Sequence, residues 1–144
     1  MKTIEGGCHC GNVRYRLRWP AALEPVPARA CGCSFCRSRR ASYTSHREAE
    51  LEAFISDETQ LNRYRFATGT ADFYICRLCG AMTFATSEID GQLRAVVNVW
   101  TFDQAENMRF EVASTDFDGE SVDRRLQRRA RNWIPRVKIS VRKD

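Results

Sequence analysis

Histidine is nearly absent: His9 and His46 are the two in 144 residues. With so few, no serine–histidine–acid triad can be argued, and the sequence holds no glycine-rich loop of the kind that cradles phosphates. Long apolar runs are missing as well. Met1–Gly7 lacks the apolar stretch of a secretory signal, and Leu93–Trp100, the most apolar segment, falls far short of a membrane span and reads as a buried strand. The chain is therefore expected in the cytoplasm, with no membrane partner, where thiols stay reduced. No internal repeat and no low-complexity segment interrupts a length that suits one domain with a core of its own.

Cysteine is what the chain does have. Seven fall in three clusters: Cys8 and Cys10, then Cys31, Cys33 and Cys36, then Cys76 and Cys79. An odd number excludes a complete set of internal disulfides, and such tight spacings in a reduced chain read as metal ligands. The natural partition is four plus three. Cys8, Cys10, Cys76 and Cys79 would close a four-thiolate structural zinc site, with Gly11 and Gly80 following where the backbone must turn sharply past the metal. In the middle cluster, Cys31 and Cys33 on an extended segment face one side, and a turn at Ser34–Phe35 would bring Cys36 to the same point. Three ligands leave a tetrahedral zinc one open position, the arrangement of a catalytic site. A fourth ligand such as His46 or His9 would instead close it. His9, between two ligands on a strand, should point away from their metal. Arg37, Arg39 or Arg40 could balance the one net negative charge of zinc with three thiolates or hold an anionic ligand, or could simply be exposed. Iron also accepts tetrahedral thiolates, but zinc is preferred. Two zinc ions per chain are expected.

The rest reads as mainly β. Val13, Tyr15 and Leu17 alternate with Arg14, Arg16 and Arg18, a strand with one face wet. Trp19–Pro27 carries three prolines and is expected as a surface loop. Strands are expected at Ala41–Ser45, Leu61–Phe66, Phe73–Ile75, Met82–Thr86, Leu93–Trp100 and Phe110–Ala113, with Asp90-Gly91 as a hairpin turn; His46–Phe54 fits either a helical turn or a loop. One helix is indicated, from Ser121 to Ala130, where Val122, Leu126 and Ala130 share a face that Trp133 extends and Pro135 ends.

Charge divides the chain unevenly. Residues 1–122 hold 14 Lys+Arg against 16 Asp+Glu, whereas residues 123–144 hold 9 against 2, so the overall +5 belongs to a basic tail. The expected layout is a zinc-binding β domain over residues 1–120 with a basic segment, 121–144, packed on it. A nucleic-acid partner would use Arg124, Arg125, Arg128, Arg129 and Arg131. No base-recognition motif accompanies them, and a solvated amphipathic helix that packs Val122, Leu126 and Trp133 on the domain is preferred.

Taken together, Gly6–Gly11, Cys31–Arg37 and Cys76–Gly80 resemble the glutathione-dependent formaldehyde-activating enzyme (GFA) family, a zinc domain of the centromere-protein-V type. That family's pattern is Gly-Gly-Cys-x-Cys-Gly, then Cys-x-Cys-Ser-x-Cys-Arg, then Cys-x-x-Cys-Gly. The resemblance runs from Ile4 to Phe110 with all seven cysteines in register. It implies a tent-like β-sheet fold built around two zinc sites. Cys8, Cys10, Cys76 and Cys79 would be the structural ligands, and Cys31, Cys33 and Cys36 the ligands of the catalytic zinc. It also implies a carbon–sulfur lyase of the S-(hydroxymethyl)glutathione synthase type, joining glutathione or a similar thiol to formaldehyde or another small aldehyde. The alternative is a non-enzymatic zinc module whose basic tail binds nucleic acid or an acidic protein. Sulfoxide reduction ranks last, because the four-plus-three partition leaves no redox cysteine.

Overall fold

The computed structural model describes residues 1–142 apart from Ala21 and Leu23. In chain order it runs through β1 (Lys2–Gly7), β2 (Val13–Trp19), β3 (Val26–Cys31), α1 (Ser34–Arg39), β4 (Ser42–Thr44) and β5 (Glu50–Ile55). There follow β6 (Leu61–Tyr64), β7 (Asp72–Cys76), β8 (Met82–Ile89), β9 (Gln92–Asn98) and β10 (Phe110–Thr115). The described chain ends with α2 (Val122–Asn132) and β11 (Arg136–Val141). The expected mainly β character holds. Among the described residues no helix is long and apolar enough to cross a membrane.

Two sheets carry the fold. Four strands pair in the order β1-β2-β5-β11, and seven in the order β10-β3-β4-β9-β8-β7-β6. Side-chain alternation decides what each face does. In β2, Val13, Tyr15, Leu17 and Trp19 are buried while Arg16 and Arg18 stand in solvent. Strand β8 instead is buried at every position from Met82 to Ser87. Its Phe84 joins Tyr74, Ala95 and Val97 in the main core shared with β2 and β5. Its Met82 and Ala85 join Ile75, Val96 and Trp133 in a second cluster that includes Cys36 and Tyr43. The central strands of the larger sheet are thus covered on both faces, and the second cluster supports the middle cysteines.

Several expectations need correction. Trp19 is fully buried at the end of β2, and Val26 and Pro27 already belong to β3, so the surface loop is shorter than Trp19–Pro27. Proline at the second position of an edge-proximal strand is tolerated, which is why the proline count misleads; Ala21 and Leu23 of that loop lie outside the described residues. Cys36 arrives on a helix, α1, rather than on a turn: the Cys33 side chain caps it by accepting from the Cys36 N–H. His46–Phe54 is a loop followed by β5.

The tail differs most. Helix α2 forms where expected, with the Ser121 hydroxyl accepting from the Arg124 N–H at 3.2 Å as N-cap, but Val122 is exposed and Arg129 is the residue it buries. Beyond it, Ile134 exchanges both backbone hydrogen bonds with Ala95 of β9. Val137, Ile139 and Val141 then alternate along β11, which adds parallel to β5. Lys143 and Asp144, the last of the 121–144 segment, lie outside the described residues.

Gly6 marks a close approach between the first strand, β2 and the turn that follows β9. A Cβ there would run into the Tyr15 hydroxyl and the Thr101 carbonyl, and Tyr15 is held in place by its own 2.7 Å hydrogen bond to Thr101 Oγ1. Gly6→Ala is expected to destabilise the protein by about 1–3 kcal/mol, read as a lowered urea midpoint at unchanged m-value.

Candidate functional site

Seven thiols are free and gather into two groups. The first joins the β1–β2 connection to the β7–β8 connection: the ligand atoms of Cys8, Cys10, Cys76 and Cys79 all lie within 4.8 Å of one another. Cys10 Sγ is 3.7 Å from Cys8 Sγ and 3.5 Å from Cys76 Sγ. A tetrahedron with metal–sulfur bonds of about 2.3 Å has edges of about 3.8 Å, so these separations suit one ion. The turns that make this possible are backbone-driven. Gly80 N–H donates to Cys76 O at 2.9 Å and Gly11 N–H to Cys8 O at 3.2 Å, with φ of 81° and 88°, conformations that a Cβ penalises.

The thiol chemistry agrees. Burial pushes the Cys8 thiol up to about 12. At Cys79 burial acts the same way, but the backbone N–H groups of Ala81 and Cys10 and the neighbouring thiols outweigh it, leaving about 6. One proton leaves easily, whereas burial, with hydrogen bonding among the thiols, makes Cys8 and Cys76 hold theirs. A cation removes that resistance.

The second group is Cys31 at the end of β3, Cys33 at the cap of α1 and Cys36 in its first turn, again with sulfurs within 4.8 Å. No histidine or carboxylate joins it among the described residues. His46 packs edge-on against Trp19 instead and accepts from the Glu48 N–H. Hydrogen bonding from Cys36 lowers the Cys31 thiol to about 5 against the effect of burial. The same interaction, with burial, pushes Cys36 up. Cys36 Sγ lies 3.1 Å from the Tyr43 hydroxyl, whose own ionisation is suppressed by burial.

These three sulfurs open into a cavity of about 120 Å³. Phe66, Phe73, Phe117 and Trp133 form much of its apolar wall. The arginines facing it are Arg29, Arg125, Arg128 and Arg129, not those expected beside the cluster. Arg39 lies over the Phe35 ring and donates to Gly80 O, and Arg37 and Arg40 are exposed and line a second depression, on the Trp100 side, together with Cys31 and Cys36. Arg128 is fixed by Glu120 through contacts of 3.1 to 3.3 Å and stacks on Phe117. Arg129 donates to Thr70 O, Thr70 Oγ1 and Ser87 Oγ. Burial, then the charges of Arg125 and Arg128, lower its pKa to about 10, so it stays cationic at neutral pH. Helical periodicity alone places these guanidiniums in solvent. The one available signal is Trp133: a large aromatic one turn beyond Arg129 marks that side of the helix as covered.

Fold and site together define a β protein that brings all of its cysteines into two clusters, one of four and one of three, each able to hold a metal ion. The sequence model of the family described as "Glutathione-dependent formaldehyde-activating enzyme" matches residues 3–115, and the chain belongs to that family. A Halomonas elongata protein named "Putative glutathione-dependent formaldehyde-activating enzyme" is 50% identical over 34 residues, which is 24% of this chain and 20% of that protein. The chain therefore matches only about a fifth of that relative's length. A crystal structure of a Rhodobacter sphaeroides protein, 26% identical, aligns with 74% of this chain and 99% of that one at a TM-score of 0.48.

The cavity wall has its own pH dependence. Hydrogen bonding from Arg128 holds the Glu120 carboxyl below its usual range, so the pair's contribution is complete above about pH 4.5 and is lost as pH falls through the lowered folded value. Glu120→Gln is expected to destabilise the protein at pH 7, with the gap from wild type narrowing below about pH 4.5 in denaturant titrations.

Proposed function

We propose that this chain is a zinc enzyme that makes and breaks carbon–sulfur bonds, a lyase of the S-(hydroxymethyl)glutathione synthase type. Its substrates are glutathione or a similar thiol and formaldehyde or another small aldehyde. The observation that carries this reading is the open set of three sulfurs, Cys31, Cys33 and Cys36, at the wall of a cavity. Cys8, Cys10, Cys76 and Cys79 take the structural zinc in this reading. Family membership supports it, and seven free thiols suit a reducing compartment such as the cytoplasm. Residues 1–120 and the segment from 121 onward act as one unit, because α2 supplies part of the cavity lining.

Zinc bound by Cys31, Cys33 and Cys36 would keep one coordination position for a ligand and would there favour the thiolate of an incoming thiol. The chain's own residues shape the reaction. Tyr43, bonded to Cys36 Sγ, fixes that sulfur, and Trp133 and Phe73 keep water from the reacting atoms. In the forward direction the thiol sulfur forms a bond to the aldehyde carbon. The carbonyl π pair moves to oxygen, which takes the proton the thiol gives up. No electron is gained or lost overall, and reversal regenerates both partners.

The alternative of a basic module for nucleic acid loses part of its support, since of its five arginines Arg125, Arg128 and Arg129 line the cavity, while Arg124 and Arg131 are exposed. Two zinc ions per chain are expected after chelator-free purification. Cys31→Ser should retain one zinc and lose glutathione-dependent protection of the second against dialysis. It should also abolish any rate of S-hydroxymethylglutathione formation above buffer. A wild-type rate equal to buffer would overturn the assignment.

A further inference from the structure

We propose that the cavity beside Cys31, Cys33 and Cys36 selects for a carboxylate placed a few atoms from the reacting sulfur–carbon bond, read by Arg29 of β3 and Arg129 of α2. This deepens, and rests on, the metal–thiol reading of the same cavity.

Positive charge in the cavity is only partly paired. Of the four guanidiniums lining it, Arg128 is neutralised by Glu120, and Arg125 shares that carboxylate at 3.9 Å. The two others have only neutral partners: Arg29 donates to Ser45 Oγ at 2.8 Å, and Arg129 to Thr70 and Ser87. Arg129 is 6% exposed. A buried cation held only by neutral groups is costly unless an anion faces it. Its Nε, moreover, has no hydrogen-bond partner among the described residues, and neither has the buried Thr115 Oγ1, which lines the same cavity. Both are buried polar atoms left unsatisfied in residues that line the cavity.

Charge counting indicates what fits. Four arginines stand against Asp118 in the lining and Glu120 behind it. A divalent ion on three thiolates adds one further negative charge. One positive charge remains, which suits a monoanion. A planar carboxylate matches the guanidinium fork, and the arginines and the three sulfurs line one cavity of about 120 Å³, so an acid held there lies close to the sulfur. Arg129 lies beyond the matched residues 3–115. Acid recognition is therefore supplied in part by a segment outside the frame that defines the family.

The test is calorimetric titration of the zinc-loaded protein with 3-mercaptopropionate and with uncharged 2-mercaptoethanol. The acid can be borne by the thiol or by the aldehyde, so a second pair is run: 2-mercaptoethanol adducts of glyoxylate and of formaldehyde. In at least one pair the charged member is expected to bind tenfold or more tightly. That ratio should fall to within twofold in Arg129→Gln and in Arg29→Gln, and persist in Arg124→Gln, an exposed site on the same helix. Unchanged 2-mercaptoethanol affinity in the variants shows the fold and the thiol site intact. The pair that discriminates identifies which substrate carries the acid. Equal affinities within both pairs, or a ratio untouched by both cavity variants, would overturn the proposal while leaving the thiol reading in place. Binding of 3-mercaptopropionate that depends on Arg129, with no binding of 2-mercaptoethanol, would sink the thiol reading and retain the anion site.

Discussion

Crowding four sulfurs into one place is the constraint on which the fold turns. Cys8 and Cys10 come from the connection between two strands of the smaller sheet, and Cys76 and Cys79 from a connection in the larger one. Thiolates at such separations repel, so the point where the two sheets are pinned together is unfavourable until a cation occupies it. The core between the sheets does the rest, with Trp19, Tyr15, Phe84 and Leu51 buried there. Hydrophobic burial sets the layers face to face, and the cluster fixes how they meet at one end.

The second cluster is built on another plan. Its three cysteines lie within six residues, placed by a strand end and a helix cap and supported by the outer face of the larger sheet. Local geometry suffices to bring the sulfurs together. Their surroundings are not local: Phe66 and Phe73 come from mid-chain, Thr115 and Phe117 from the end of β10 and just past it, and Arg125, Arg128 and Arg129 from α2. Ligand position and ligand environment are thus encoded in different parts of the sequence, and either can change with little effect on the other.

That division also explains how much of the molecule is legible in one dimension. Spacing within a few residues is visible there, so the cysteine groups, the alternation around Tyr15 and the Asp90-Gly91 turn can all be read directly. Helix α1 cannot, because six residues give too little periodicity and its cap is a cysteine, a residue with no strong capping preference. Strand β11 is legible in principle, through Val137, Ile139 and Val141, with the exposed Lys138 between the first two. Arg129 is the hardest. A charged side chain on a helix is assigned outward by every pattern rule, and only the ring of Trp133, at 4.9 Å from its guanidinium carbon, and the Thr70 and Ser87 oxygens reveal the opposite.

The order in which ribosomes deliver these elements gives the C-terminal strand a second significance. Everything needed for both sulfur clusters has been synthesised by residue 79, yet β5 keeps one edge unpaired until β11 emerges more than fifty residues later. An unpaired strand edge invites association with other chains. A nascent chain can therefore hold all seven cysteines while still exposing an unpaired strand margin and a half-built cavity. β11 then covers the β5 edge and becomes the outer strand of that sheet, while the pairing of Ile134 with Ala95 ties the end of α2 to β9. The part of the cavity wall that α2 contributes is thus the last to be assembled, after the residues of both cysteine clusters.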